Sequence, residues 1–166
     1  MIIIEGADHT GKTTFAKSFE LPYRHMLRPD ANYDHLTEYV KGIFPGVQDR
    51  YHIGSVVYGM MLRSGSHPTY RQMKIIHRYL QWAGCYIIIM HCDPKVLRQR
   101  LEESDRDEMY KIPDILAAND AYRSIMKNSI VNASLCIDVT DKWPGVEERD
   151  DILTVWKRVY GGNTQR

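Results

Sequence analysis

The sequence predicts an α/β fold in which a parallel sheet is covered by helices on both faces. Three observations carry that expectation. Apolar runs of strand length alternate along the chain with stretches whose apolar residues recur at spacings of three and four, the period of a helix. The first run, Met1 to Ile4, feeds directly into a loop bounded by two glycines and then into a helical stretch. At 166 residues the chain reads as one domain over 1–166, a size that buries about 70% of the surface its unfolded form exposes.

Five strand candidates stand in order: Met1 to Ile4, Tyr23 to Leu27, Val47 to Asp49, Cys85 to Met90 and Leu135 to Val139. A helix is expected from Lys12 to Phe19, behind the first loop. Tyr70 to Ala83 sets Met73, Ile76, Leu80 and Ala83 on one face. Asp93-Pro94 opens the next helix, with Asp as N-cap and Pro in the first turn, and Val96, Leu97 and Leu101 carry it. Pro113 similarly opens Asp114 to Asn128. The last helix, Val146 to Val159, puts Ile152, Val155, Trp156 and Val159 on one side before a Gly161-Gly162 tail. No internal repeat, low-complexity tract or linker interrupts the series.

Composition removes several classes of function. Lys and Arg total 22 against 21 Asp and Glu, so no net field draws the molecule to nucleic acid or to an acidic membrane, and neither is an expected partner. Cys85, Cys92 and Cys136 lack CxxC spacing and read as small hydrophobes, not metal ligands. Met1 opens the first strand itself, which leaves no room for a signal peptide. The longest other apolar run, Tyr86 to Met90, is far too short to span a bilayer. A reducing cytoplasm is the expected setting.

The loop after the first strand carries the chemistry. Gly6-Ala7-Asp8-His9-Thr10-Gly11-Lys12-Thr13-Thr14 matches the phosphate-loop pattern GxxxxGKS/T. Gly6 and Gly11 let the loop curl until its backbone N–H groups face an anion, and the positive end of the following helix adds to the field. Lys12 supplies a point charge for the β- and γ-phosphates of ATP, and the Thr13 hydroxyl is a ligand for Mg²⁺. In an open parallel sheet, ligands gather at the carboxyl ends of the strands, where Asp49-Arg50-Tyr51 stands. A carboxylate there holds Mg²⁺ or its waters, and the Arg50 fork matches a second phosphate.

These residues bring a resemblance into view. Ile4 to Thr14 resembles the "EGxDxxGKST" loop of thymidylate kinases, and Asp49-Arg50-Tyr51-His52-Ile53-Gly54-Ser55 is similar to their "DRYxxS" segment. The likeness runs in order along about two thirds of the chain, but only these two motifs are specific to it. It implies a P-loop NTPase of the nucleoside monophosphate kinase type, with a five-stranded parallel sheet and a short lid at about 98–112. It also implies ATP and Mg²⁺ as cofactors and a deoxynucleoside monophosphate as acceptor, with Asp8 at the sugar 3′-hydroxyl and Arg50 on the acceptor phosphate. The family segment "LLFxANR" has no counterpart between Arg28 and Asp49, and Arg28-Pro29-Asp30 only faintly echoes "FPDR". The compact chain is closer to the thymidylate kinase-like deoxynucleotide kinases of bacteriophages, which implies a viral origin and a host cytoplasm. Related kinases are commonly dimers, yet no exposed apolar helix face stands out here, so a homodimer is left open.

Phosphoryl transfer to a phosphate that is already anionic needs alignment and charge, not a general base. The arginines must supply the charge. Arg98, Arg100 and Arg106 lie where a helix gives way to a polar run. Arg100 matches the lid arginine that the family often places against adenine, Arg106 is the candidate for bridging the transferred phosphoryl, and Arg98 pairs at i,i+4 with Glu102 if it stays on the surface. His9 stands in the loop where some thymidylate kinases carry arginine, and a histidine there leaves the charge to the lid. Arg63 and Arg71 follow Asp49-Arg50 closely enough to reach the acceptor, and Tyr122 resembles the family tyrosine that crowds the sugar and rejects a 2′-hydroxyl. Thr140 and Asp141 follow the last strand, beside the expected adenine. The other histidines read as surface or partly buried rings, and Trp82, Trp143 and Trp156 as core or rim packing. Met60, Met61 and Met73 cluster near the expected base pocket, either as an adaptable wall or as core filling, the commoner use. Two further readings remain open: a kinase acting on a neutral hydroxyl, for which Glu5 is the available base, and a nucleotide-binding regulator without transferase activity.

Overall fold

A computed structural model describes residues 1–26, 34–62, 67–104, 110–127 and 133–160. The chain order is β1 (Ile2–Gly6), α1 (Lys12–Lys17), β2 (Tyr23–His25), α2 (His35–Lys41), β3 (Val47–Asp49), α3 (His52–Leu62), α4 (Tyr70–Trp82), β4 (Tyr86–His91), α5 (Pro94–Glu102), α6 (Ile112–Lys127), β5 (Leu135–Asp138) and α7 (Val146–Tyr160). The five strands form one sheet in the order β2-β3-β1-β4-β5, every pairing parallel. All five expected strands are present, within two residues of the expected ends.

The centre of the sheet is built from isoleucine. Ile2, Ile3 and Ile4 of β1 and Ile87, Ile88 and Ile89 of β4 are wholly buried. Such runs suit a strand covered on both faces, and each side chain contributes roughly 1.5–3 kcal/mol by leaving water. The helices that close the two faces carry local signals. In α4 a capping box joins Thr69 and Gln72, and Met73, Ile76 and Leu80 face inward. The Asp93 side chain accepts from Lys95 N–H at 2.8 Å and Pro94 fills the first turn of α5, as the sequence leads one to expect.

Some elements depart from expectation. Helix α1 stops at Lys17, because Ser18 caps it and Glu20 turns the chain with φ 55°. In α7 Ile152 is buried and Trp156 half-buried, but Val155 is exposed. Trp82 is 82% exposed and not core or rim. His35, His52 and His77, on α2, α3 and α4, are buried, deeper than the surface or partly buried placement expected of them. His52 Nε2 lies 3.3 Å from His77 Nδ1, and burial, helped by His77, pushes the His52 ring down to about 3, so it is neutral near pH 7. Among the described residues no helix is long and apolar enough to cross a membrane.

Candidate active site

The phosphate loop owes its shape to close backbone approach. Gly6 has φ 152°, and a Cβ there would run into the Met90 carbonyl of β4. Thr10 Oγ1 donates to Ala7 O at 2.7 Å and cinches the loop from inside. Lys12, the first residue of α1, is folded back over the loop, with Nζ donating to Ala7 O at 2.9 Å and to Asp8 Oδ1 at 3.2 Å. Burial and the neighbouring Arg50 charge lower its pKa, while Asp8 pulls the other way.

Register then decides what meets this loop. β1 and β3 are neighbours with Ile4 opposite Asp49, so residues leaving β3 emerge beside the phosphate loop. Asp49 is fully buried, and its Oδ2 accepts from Thr13 Oγ1 at 2.6 Å, from the Tyr23 hydroxyl at 3.0 Å and from His25 Nδ1 at 3.0 Å. Burial and Asp49 together push the Tyr23 hydroxyl up to about 12. Asp49 Oδ1 is buried with no hydrogen-bond partner among the described residues. An unmet carboxylate oxygen next to a threonine hydroxyl is a hard-oxygen set that fits Mg²⁺.

Arg50 adopts φ 64°, and its guanidinium pairs with Asp8 and lies over the Tyr58 ring at 5.4 Å. The Tyr58 hydroxyl donates to Asp8 Oδ2 at 3.2 Å and accepts from Asp8 N–H at 3.1 Å. Burial alone would raise the Asp8 carboxyl, but Lys12 and Arg50 hold it below the ordinary range. Two cations from adjacent strand ends thus share one carboxylate, and an arriving phosphate oxygen can take its place at either.

Along the loop a cavity of about 630 Å³ is lined by Asp8, Lys12, Thr13, Thr14, Arg100 and Trp143, among others. Arg100 is fixed by Val139 O at 2.7 Å and Thr140 O at 3.1 Å, and its guanidinium lies 4.2 Å from the Trp143 ring centre. The indole in turn rests on Gly11, where a Cβ would occupy the ring's place. The result is a flat cation and a flat aromatic at the mouth of a phosphate site, a pairing suited to a nucleotide base.

Comparison with known proteins adds the architecture. No family model matches the chain, and no curated protein matches it in sequence. The YorR protein of Bacillus subtilis, solved in complex with phosphorylated GDP, superimposes with TM-score 0.74 at 24% identity, over 93% of this chain and 94% of that one. A deoxyadenosine kinase from M. mycoides with bound dCTP gives 0.53 at 12% identity, over 96% and 100%. The fold is that of the P-loop kinases. Asp8, His9, Gly11, Lys12, Thr13 and Thr14 border the cavity described above.

Other expectations need correction. Tyr122 is wholly buried and its hydroxyl donates to Glu5 Oε2 at 3.1 Å, so it presents nothing to a sugar. Arg71 is exposed on the side of α4 opposite Met73, Ile76 and Leu80, and faces solvent. Among the described residues Arg98 makes only the surface pair with Glu102, at 3.8 Å. The Thr140 side chain closes its own loop, accepting from Asp93 N–H at 2.8 Å and donating to Asp138 Oδ1 at 2.5 Å; the residue serves Arg100 through its carbonyl. Glu5 has both oxygens occupied in the interior, leaving none to deprotonate a substrate hydroxyl. Arg63, Arg106 and the Arg28-Pro29-Asp30 turn lie outside the described residues, as does the stretch 105–109 of the expected lid. Sequence reasoning missed Tyr23, His25, Tyr58 and the role of Trp143. Each reaches the site from a distant part of the chain; Trp143, two residues after Asp141, and Tyr58, two before Met60, lay near positions already singled out.

Proposed function

We propose that this chain is a single-domain kinase that transfers the γ-phosphoryl group of ATP, with Mg²⁺, to the phosphate of a deoxynucleoside 5′-monophosphate, with dTMP or a related or modified pyrimidine nucleotide preferred. The observation that carries the reading is the pairing of Lys12 and Arg50 to the same carboxylate, Asp8. Lys12 belongs to the donor loop and lines the cavity with Arg100 and Trp143, and Arg50, which is not among the cavity's lining residues, stands at the end of the adjacent strand. The two cations therefore mark a line along which donor and acceptor phosphates can meet end to end.

Each role follows from chemistry present at the site. Lys12 swings from Ala7 O and Asp8 to the donor phosphates, and Arg50 grips the acceptor phosphate in its fork. Thr13 and Asp49 would hold Mg²⁺, which when bound neutralises charge on the β- and γ-phosphate oxygens. Arg100 and Trp143, already stacked on each other, offer the donor base one flat surface. Asp8, freed from the cations, is positioned for the acceptor sugar, with Tyr58 holding it from behind. The acceptor phosphate is already an anion near pH 7, so the reaction needs no base from the protein.

A coupled assay of ADP release against dTMP, dUMP, dGMP and 5-modified pyrimidine monophosphates tests the reading, with Lys12→Ala as the silent control. Turnover of at least one monophosphate is expected. Turnover of nucleosides alone would select a hydroxyl kinase, and no turnover of any acceptor would leave a nucleotide-binding regulator.

A further inference from the structure

Glu5 is the one acidic residue of β1, and it is completely buried without belonging to the phosphate loop. Its Oε1 accepts from Tyr51 N–H at 3.0 Å and Ile53 N–H at 2.9 Å; its Oε2 accepts from Gly54 N–H at 3.1 Å and from the Tyr122 hydroxyl at 3.1 Å. Three of those donors belong to the turn that follows Arg50 and to the first turn of α3. That helix has no acidic residue of its own in its first turn, so the negative charge that a helix start favours arrives from a different strand. Gly54 is part of the fit, since a Cβ there would stand 2.9 Å from Glu5 Oε2 and 3.0 Å from the Tyr122 hydroxyl.

The same stretch holds a strained residue. Arg50 sits at φ 64°, a conformation that costs a non-glycine residue on the order of 1 kcal/mol or more and persists only where its surroundings impose it. They do so from three sides. Arg50 N–H donates to Ile4 O at 2.9 Å, Gln48 Nε2 donates to Arg50 O at 3.1 Å, and Glu5 takes the very next N–H, that of Tyr51. Two consecutive residues of β1, Ile4 and Glu5, therefore clamp the chain on either side of the Arg50 side chain.

We propose that Glu5 is a positioning residue: its carboxylate, steadied by Tyr122, caps α3 from β1 and so fixes the turn that aims Arg50 at the acceptor phosphate. It acts through backbone amides and touches no substrate. The proposal deepens the monophosphate reading and rests on it for its kinetic consequence, but the hold on the turn is independent of that reading. Glu5→Gln can keep one oxygen on Tyr51 and Ile53 while turning an NH₂ group toward Gly54, whose N–H then loses its acceptor. Tyr122→Phe removes one of the four donors and leaves the rest.

The test combines amide hydrogen exchange over residues 49–56 with steady-state kinetics, on the full chain of the wild type, Glu5→Gln and Tyr122→Phe. In Glu5→Gln, exchange at Gly54 should quicken about 10-fold or more, and at Tyr51 and Ile53 by a smaller factor, beyond any change at the β4 amides that report global opening. The KM for the monophosphate should rise about 10-fold while that for ATP stays within about twofold. Tyr122→Phe should move both readouts the same way by a smaller factor, and it keeps the test alive if Glu5→Gln does not fold. Unchanged protection at Tyr51, Ile53 and Gly54 in both variants would overturn the proposal, as would equal rises in both KM values. Faster exchange in a protein that turns over no monophosphate would uphold the clamp and sink the acceptor reading instead.

Discussion

Removing the Trp143 ring tests the donor side of the site with little disturbance to the rest. The ring is 49% exposed, backed by Arg100 at 4.2 Å and by Gly11, so Trp143→Ala gives up a cation–π contact worth roughly 0.5–1 kcal/mol at such a site and leaves the core untouched. A base stacked on an aromatic ring gains about 1–3 kcal/mol, which is roughly 5- to 150-fold in affinity. Arg100 keeps its anchors on the Val139 and Thr140 carbonyls, so one flat face survives and the loss should fall in the lower part of that range. We expect the Kd for ADP to rise about 5- to 20-fold in Trp143→Ala and much less in Trp143→Phe, while the Kd for the accepted monophosphate is unchanged. Calorimetric titration with each ligand separately reads both numbers. An unaltered ADP affinity would refute the reasoning, and so would parallel losses for the two ligands, because the indole would then be supporting the loop and not the base.

Arg50→Ala should cost monophosphate affinity about 2 kcal/mol or more, the scale of a charge-assisted pair, while ADP binding measured by calorimetry stays within about twofold; loss of both would place Arg50 on the donor. Gly6→Ala puts a methyl group against the Met90 carbonyl at a φ that L-residues avoid, and should destabilise by about 3 kcal/mol, lowering Tm by roughly 6–12 °C in a thermal melt. For Glu5, burial outweighs the N–H groups of Gly54, Ile53 and Tyr51 and the Tyr122 hydroxyl, and lifts the carboxyl from 4.5 to about 7. A carboxyl raised on folding favours the native state most below its unfolded value and loses that contribution as pH climbs through the folded one. Urea melts should therefore show the wild type losing stability relative to Glu5→Gln between pH 5 and pH 8, by an amount on the order of 2 kcal/mol. Asp8 runs the opposite way, its folded value being depressed, so its contribution holds at neutral pH and fades only in acid.

Local features were the legible ones. The strand, loop and helix around Gly6 to Thr14 form one continuous motif, and Asp49-Arg50 follows an apolar run directly, so both could be read residue by residue. The parallel pairing of β1 with β3 converts those two separate readings into a single site. Helix α3 was not legible, because its residues from His52 to Gly59 are buried all round and show no one-sided periodicity, and Gly54 and Gly59 depress its helix propensity. Helix α2 is only seven residues long, and its Asp34 cap stands outside any strong apolar pattern. Tyr122 misled for a different reason: its place in the chain matches a sugar-facing tyrosine, but the direction of its hydroxyl is set by a buried glutamate more than a hundred positions away. Tyr58 and Trp143 acquire their partners only when α3 and the loop after β5 fold back over the phosphate loop, and no spacing rule anticipates that.

The outermost strand of the sheet bears on its chemistry more than its length suggests. β2 has three residues and pairs only with β3, yet two of those residues, Tyr23 and His25, grasp the buried Asp49 oxygen that also binds Thr13. Margins of a sheet open before its middle does. How firmly this carboxylate would hold a divalent ion under the proposed reading is thus governed at the rim of the molecule, and whatever stiffens or loosens that rim would tune the centre without approaching a nucleotide.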